Sequence, residues 1–158
     1  MIKSKWQRYI AASINKHFVD NLILLDPTYK IFIEGQHRDD VLDQKIIEIR
    51  FDGPYWNEQS HDNWRGLIEI NNLVQWKMDD VDNYEIWDTL GDVSRVMSMP
   101  IEIFTYDNPP IPIVSLGCLQ RMDNKDDIMI HYFGQVEPSI QLQQATCEAH
   151  YYIYLVGD

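Results

Sequence analysis

The sequence predicts an α+β domain in which two amphipathic helices pack on an antiparallel-rich sheet. Three observations carry this. Apolar residues recur with a helical period in two separated segments, and they alternate with polar residues in the other structured segments, as in half-buried strands. The segments also run helix, strands, helix, strands, without the regular strand–helix alternation of a parallel α/β sheet.

Residues 4–25 predict the first helix, because Trp6, Ile10, Ile14, Phe18, Leu22 and Leu25 form one stripe. Lys3, Lys5 and Arg8 stand at its start, where the helix macrodipole disfavours positive charge, so something else is expected to want them there. Asp26-Pro27 ends the helix. Tyr29, Ile31 and Ile33 alternate as a short strand closed by Gly35, and residues 36–44 are polar and read as a loop. Ile47, Ile49 and Phe51 alternate with Glu48 and Arg50 in a second strand that Asp52-Gly53-Pro54 stops. Residues 54–63 read as a second polar loop, and 64–77 as a longer strand with Ile68, Ile70 and Val74 on one face.

The second helix is expected over 82–98. Asp82 and Glu85 have the spacing of a capping box, and Ile86, Leu90, Val93 and Met97 share a face opposite Glu85, Asp88 and Asp92. Only strands follow. They cover 101–106, 112–121 with a bulge expected at Gly117, 128–136, and 140–156. The polar turn Asp123 to Asp126 predicts a hairpin between the second and third of these. The last strand turns Ala145, Cys147, Ala149, Tyr151, Ile153 and Leu155 one way.

The chain of 158 residues reads as a single domain, 1–158, with no internal repeat and no linker. A chain of this size buries roughly 68–70% of its unfolded surface and needs no disulfide or metal staple. Nineteen aromatics exclude disorder. The net charge is −12, split as +3 over residues 1–20 and −15 over the rest. Such a surface disfavours binding to duplex DNA or an anionic membrane. No segment is long and apolar enough for a membrane span or a signal peptide, so synthesis in the cytoplasm is expected. Cys118 and Cys147 read as free buried thiols.

Constellations that could carry chemistry are sparse. Asp79, Asp80 and Asp82, and the trio Asp123, Asp126 and Asp127, lack the register of a calcium loop. Cys147 and His150 have C-x-x-H spacing, but residues three apart on a strand point to opposite faces and no second half of a zinc motif follows. No oxyanion loop accompanies any pairing of Cys118 or Cys147 with His17, His61, His131 or His150. Glu48 and Glu69, on adjacent strands, read most simply as the polar face of a sheet, and no glycine pattern forms a phosphate loop. The expectation is a protein that is not an enzyme, with no catalytic residue, no cofactor and no metal.

The runs Lys45 to Pro54 (KIIEIRFDGP), Trp64 to Val74 (WRGLIEINNLV), His131 to Pro138 (HYFGQVEP) and Gln144 to Tyr151 (QATCEAHY) resemble stretches of tailed-bacteriophage neck proteins. The element order resembles that of the tail terminator, or tail completion, family over roughly residues 5–156. The resemblance implies a small domain with two helices on a mixed or antiparallel sheet. It also implies a structural virion protein, assembled in the host cytoplasm, that forms a hexameric ring. Such a ring caps the tail tube and joins it to the head connector, so tail tube protein, connector or head-completion protein and further copies of the chain are the implied partners. DNA would pass through without specific binding. In such a ring, Glu85, Asp88, Asp92, Asp39, Asp40 and Asp43 are candidate lumen-facing acids, and Lys3, Lys5, Arg8, Trp56, Trp64 and Trp76 are candidate interface residues. The long loops leave another neck role, head completion or adaptor, open. So does a different class: a cone-shaped small-molecule or isomerase-like domain resembling the nuclear-transport-factor-like fold, with His61 and Asp62 or His131 and Glu148 as its acid–base pair. A plain host interaction domain is a third.

Overall fold

A computed structural model of the chain describes residues 1–34, 45–77, 84–107, 114–122, 127–137 and 142–157. The elements run α1 (Trp6–Leu25), β1 (Lys30–Ile33), β2 (Lys45–Ile49), β3 (Phe51–Ser60), β4 (Asn63–Lys77), α2 (Glu85–Ser98), β5 (Ile101–Phe104), β6 (Ser115–Arg121), β7 (Met129–Glu137) and β8 (Leu142–Val156). Two helices pack against a curled, mostly antiparallel sheet, which is the predicted α+β class.

β4 and β8, 15 residues each, form the spine. They pair antiparallel throughout, with Asn63 opposite Val156 at one end and Lys77 opposite Leu142 at the other. At about 3.4 Å per residue this ladder is roughly 50 Å long. Each spine strand can therefore carry two shorter strands end to end. β2 and β3 divide β4 between them, and β7 and β6 divide β8. β1 adds to β2 in parallel and β5 adds to β6 antiparallel, so the sheet is mixed.

Both helices lie on one face. The α1 stripe of Trp6, Ile10, Ile14, Phe18 and Leu22 is buried, as are Ile86, Leu90, Val93 and Met97 of α2. The sheet meets them with Ile68, Ile70 and Val74 from β4 and the six alternating residues from Ala145 to Leu155 of β8. Ser13 explains why a polar residue sits in the α1 stripe. Its Oγ accepts the Phe104 N–H at 2.9 Å, tying the helix to edge strand β5. His17 Nε2 bonds the Val96 carbonyl at 2.9 Å and ties α1 to α2. Tyr151 donates from its buried hydroxyl to the Met97 carbonyl at 2.9 Å.

Several expectations are corrected. Residues 54–63 are not a loop: β3 runs from Phe51 to Ser60 and turns back at His61 and Asp62 into β4. Pro54, which follows a cis peptide, sits in a register shift between Asp52 and Tyr55 on an edge strand, where its missing N–H interrupts no ladder bond. The strand expected over 47–51 is divided at Arg50, whose N–H is bonded by the Asn72 side chain. β6 and β7 do not form the expected hairpin pair. Each pairs with β8 instead, because the long strand offers both of them an edge. Leu25, placed in the α1 stripe, is 37% exposed, because the last turn of the helix carries Ile23, Leu24 and Leu25 past the packed face. α2 begins at Glu85 behind Tyr84, which makes no side-chain cap, and Asp82 lies outside the described residues. Gly117, where a bulge was expected, has φ +138° beside a register shift between Ile103 and Phe104 of β5. Among the described residues, no helix is long and apolar enough to cross a membrane.

Two outcomes follow from this packing. Ile10→Ala removes a fully buried side chain between helix and sheet and is expected to cost about 2–5 kcal/mol in a denaturant titration. Burial holds the His17 imidazole below its ordinary pKa, against the smaller opposing effect of its bond to Val96. The folded state thus binds that proton less tightly than the unfolded chain. Stability is full above about pH 6.5 and declines as pH falls toward the depressed folded value. His17→Gln should flatten that decline in thermal melts from about pH 7 to about pH 5. A decline unchanged by the substitution would assign it to other groups.

Candidate functional site

The face of the sheet turned away from the helices carries the polar chemistry. Side chains alternate on β8, so Glu148 and His150 share this face while Cys147 and Ala149 point into the core. Glu69 stands directly opposite His150 on β4. His131 of β7 stands opposite Thr146, one diagonal step from Glu148. Three adjacent strands thus converge on one spot. His150 Nε2 is 3.0 Å from Glu148 Oε1, and His131 Nε2 is 3.4 Å from Glu148 Oε2. Donor atoms of Glu69, Glu148 and His150 all lie within 4.8 Å of one another. The Glu69 carboxyl is raised above its ordinary range, first by its hydrogen bond to Glu148 and then by burial. Two carboxylates and two imidazoles in contact can share a proton or hold a cation.

Beside this cluster lies an open groove of about 440 Å³ lined by Glu34, Arg50, Phe51, Asp52, Glu69 and Asn71. Glu48, considered with Glu69 in the sequence, is committed elsewhere: it is buried and accepts from Arg50 Nε at 2.7 Å. His131 and Glu148 are brought together as a pair, whereas Asp62 is used structurally. Asp62 sits in the β3–β4 turn at φ 55°, bonds the Met1 ammonium, and accepts from Trp64 Nε1 at 3.3 Å. Cys147 is a free, buried thiol beside Ser94, and burial pushes its pKa up, away from nucleophilic use. Cys118 is free as well and only half-buried, which corrects the expectation of two buried thiols.

The predicted site residues are scattered over other surfaces. Glu85 and Asp88 are exposed in the first turn of α2, where the macrodipole favours acids. Asp92 is half-buried and accepts the Tyr29 hydroxyl at 2.5 Å; burial, then this bond, pushes the Tyr29 hydroxyl far above its ordinary range. Asp39, Asp40 and Asp43 lie outside the described residues, as do Asp79, Asp80, Asp123 and Asp126. The basic start of α1 has partners within the chain. Lys5 Nζ bonds Asp107 Oδ1 at 2.8 Å, Tyr9 donates to the same oxygen, and Arg8 Nε donates to the Tyr106 carbonyl at 3.0 Å. Asp107 answers the question of what wants positive charge there. Lys3 is exposed just before the helix. Of the tryptophans, Trp76 is a core residue and cannot serve as a contact surface, which corrects that assignment. Trp56 is half-buried against Trp6, ring centroids 5.2 Å apart, and lies over Gly66, where a Cβ would come within 2.9 Å of its ring. Trp64 is half-buried near the hairpin turn.

A second surface lies along β7. β7 pairs with β8 on one side and, among the described residues, with no strand on the other. Along this edge Ile130, Tyr132 and Phe133 are exposed, Phe133 by 56%. Trp87 of α2, 42% exposed, lies against Tyr132 with ring centroids 5.1 Å apart, and Tyr84 is exposed at the start of the same helix. Register shifts at Tyr132/Gly134 and Gln135/Glu137 bend this edge, yet its large apolar side chains stay exposed beside it, a surface to which another chain can add.

No family model matches the chain, and no curated protein matches it. A solved structure of a protein whose name states no function is similar in fold, with a TM-score of 0.52 at 12% identity over 96% of this chain and 96% of that one. That likeness concerns the fold alone.

The raised Glu69 carboxyl has a testable sign. A folded pKa above the unfolded one means that stability is complete at low pH and is lost as pH rises through the folded value. With a chelator present, Glu69→Gln should therefore melt higher than the parent chain at neutral pH, and the two should converge near pH ~4. A lower melting temperature at neutral pH would show that the ionised carboxylate is favourable there.

Proposed function

We propose that this chain is a structural protein of a tailed-bacteriophage neck, a tail terminator subunit that forms a ring on the end of the tail tube and joins it to the head connector. The resemblance of its sequence runs to neck proteins supports the assignment. The observation that carries it is the exposed β7 edge with Ile130, Tyr132 and Phe133 beside Trp87 and Tyr84. Aromatic residues of this kind are enriched at protein interfaces, and a strand edge offers backbone groups for pairing with a neighbour. Tyr132 serves the single chain by accepting from the buried Gln143 amide, whereas Ile130 and Phe133 stay exposed outside the core. A ring of copies, six in the family it resembles, gives each subunit a neighbour to cover that edge.

In this reading the acids of α2 supply part of the charge that keeps DNA mobile in the bore. Glu85 and Asp88 are the exposed members, while Asp92 is held by Tyr29. Fixed negative charge acts on duplex phosphate only within about 8 Å at physiological salt, so only residues on the wall matter. The basic start of α1, partnered by Asp107, becomes part of the subunit's own frame. Another neck ring, head completion or adaptor, fits the same surface. The small-molecule reading keeps one observation in its favour, the His131–Glu148 contact.

Purified particles of the phage that encodes the chain should contain it in several copies at the head–tail junction, seen by imaging and counted by mass spectrometry. Absence from the particles would overturn the assignment. Trp87→Asp combined with Phe133→Asp should leave the far-ultraviolet circular dichroism spectrum unchanged and abolish incorporation. Normal incorporation of that variant would remove the β7 edge from the assembly interface.

A further inference from the structure

The structure assigns a divalent transition-metal site of the zinc type to Glu69, Glu148, His150 and His131 on the outer face of the sheet. This site stands independently of the neck assignment, because every group in it comes from one chain.

The argument begins with the donor set. Imidazole nitrogen selects zinc and its neighbours over calcium or magnesium, and two carboxylate oxygens complete a set that zinc accepts. Two carboxylates and two neutral imidazoles carry a charge of −2, which a divalent cation cancels. The geometry comes next. Both histidines direct Nε2 at Glu148, at 3.0 Å from one carboxylate oxygen and 3.4 Å from the other. Bonds of about 2.0–2.1 Å to a tetrahedral ion place neighbouring donors roughly 3.3 Å apart. His150 already stands near that spacing from one Glu148 oxygen and His131 from the other, and the donors of Glu69, Glu148 and His150 lie within 4.8 Å of one another.

The surroundings argue against the simpler reading of a solvated polar face. Ionised carboxylates on such a face separate or recruit Lys and Arg. Glu69 and Glu148 instead converge on a hydrogen bond whose proton a metal ion would displace, and among the described residues neither has a Lys or Arg at ion-pair distance: the further partners of Glu148 are the two histidines. Arg50, which lines the adjoining groove with Glu69, is taken by Glu48. Glu148 and His150 are partly sheltered, with side chains 19% and 22% exposed, and His131, 47% exposed, forms the open side. The backbone holds the ligands in register, since Glu69 faces His150 across the β4–β8 ladder and β7 brings His131 to the other side of Glu148. A bound ion would link three strands at the middle of the spine, beside the edge that the proposed assembly uses.

The test is titration of the chelator-treated full chain with Co²⁺, read by its visible absorption, followed by competition with Zn²⁺. One equivalent per chain should bind, Zn²⁺ should displace the cobalt signal, and the melting temperature should rise with metal. Glu148→Gln, which preserves shape, and His150→Ala should each weaken binding by at least the roughly 10–100-fold that loss of an outer-shell partner costs. His61→Ala, at the exposed hairpin turn, should leave it unchanged. Circular dichroism of each variant separates loss of a ligand from loss of the fold. Absence of stoichiometric binding, or binding that survives both Glu148→Gln and His150→Ala, would overturn the site.

Discussion

The β4–β8 ladder is the constraint on which the rest of the molecule depends. Two strands of 15 residues paired without a shift leave each with a free outer edge longer than any neighbour that occupies it. Those edges seat β2 and β3 on one side and β7 and β6 on the other. The ladder also fixes which side chains can meet. A slip of one residue in either strand would turn every side chain of that strand to the opposite face. Ile68, Ile70 and Val74 would then leave the helices, and Glu69 would no longer face His150.

Each face of that ladder has its own chemistry. On the helix side, the buried residues of β8 pass from small, at Ala145, Cys147 and Ala149, to large, at Tyr151, Ile153 and Leu155. Cys147 lies beside Ser94 of α2, and Tyr151 reaches the Met97 carbonyl of the same helix. Polar residues on this side bond backbone, as Ser13 and His17 do, or a neighbouring side chain, as Ser94 does with Cys147. On the other side, among the described residues, no helix competes for space. Charged groups collect there, and their arrangement follows from strand register alone.

The free β7 edge connects fold to proposed role. Its apolar residues are adjacent to the polar cluster in the sheet, because His131 and Tyr132 are neighbours on one strand and face opposite ways. Tyr132 turns toward Trp87, and His131 turns toward Glu148. A neighbouring subunit on this edge and an ion in the cluster would both act on the same strand, one from each face.

Sequence by itself determined the local periods. The α1 stripe from Trp6 to Leu22, the α2 face from Ile86 to Met97 and the buried side of β8 are readable because side-chain direction is set by backbone geometry, residue by residue. The shared face of Glu148 and His150 was legible in the same way, from spacing two apart. Pairing was not. Backbone hydrogen bonds carry no residue identity, so nothing local says that β6 and β7 join β8 rather than each other, or that the polar run after Pro54 continues as a strand along β4. Long-range partners were hidden for the same reason. Lys5 meets Asp107 across 102 residues, and Glu69 meets Glu148 only because β4 and β8 lie side by side. Tertiary structure alone decided these contacts, since they follow from which strands share an edge and in what register.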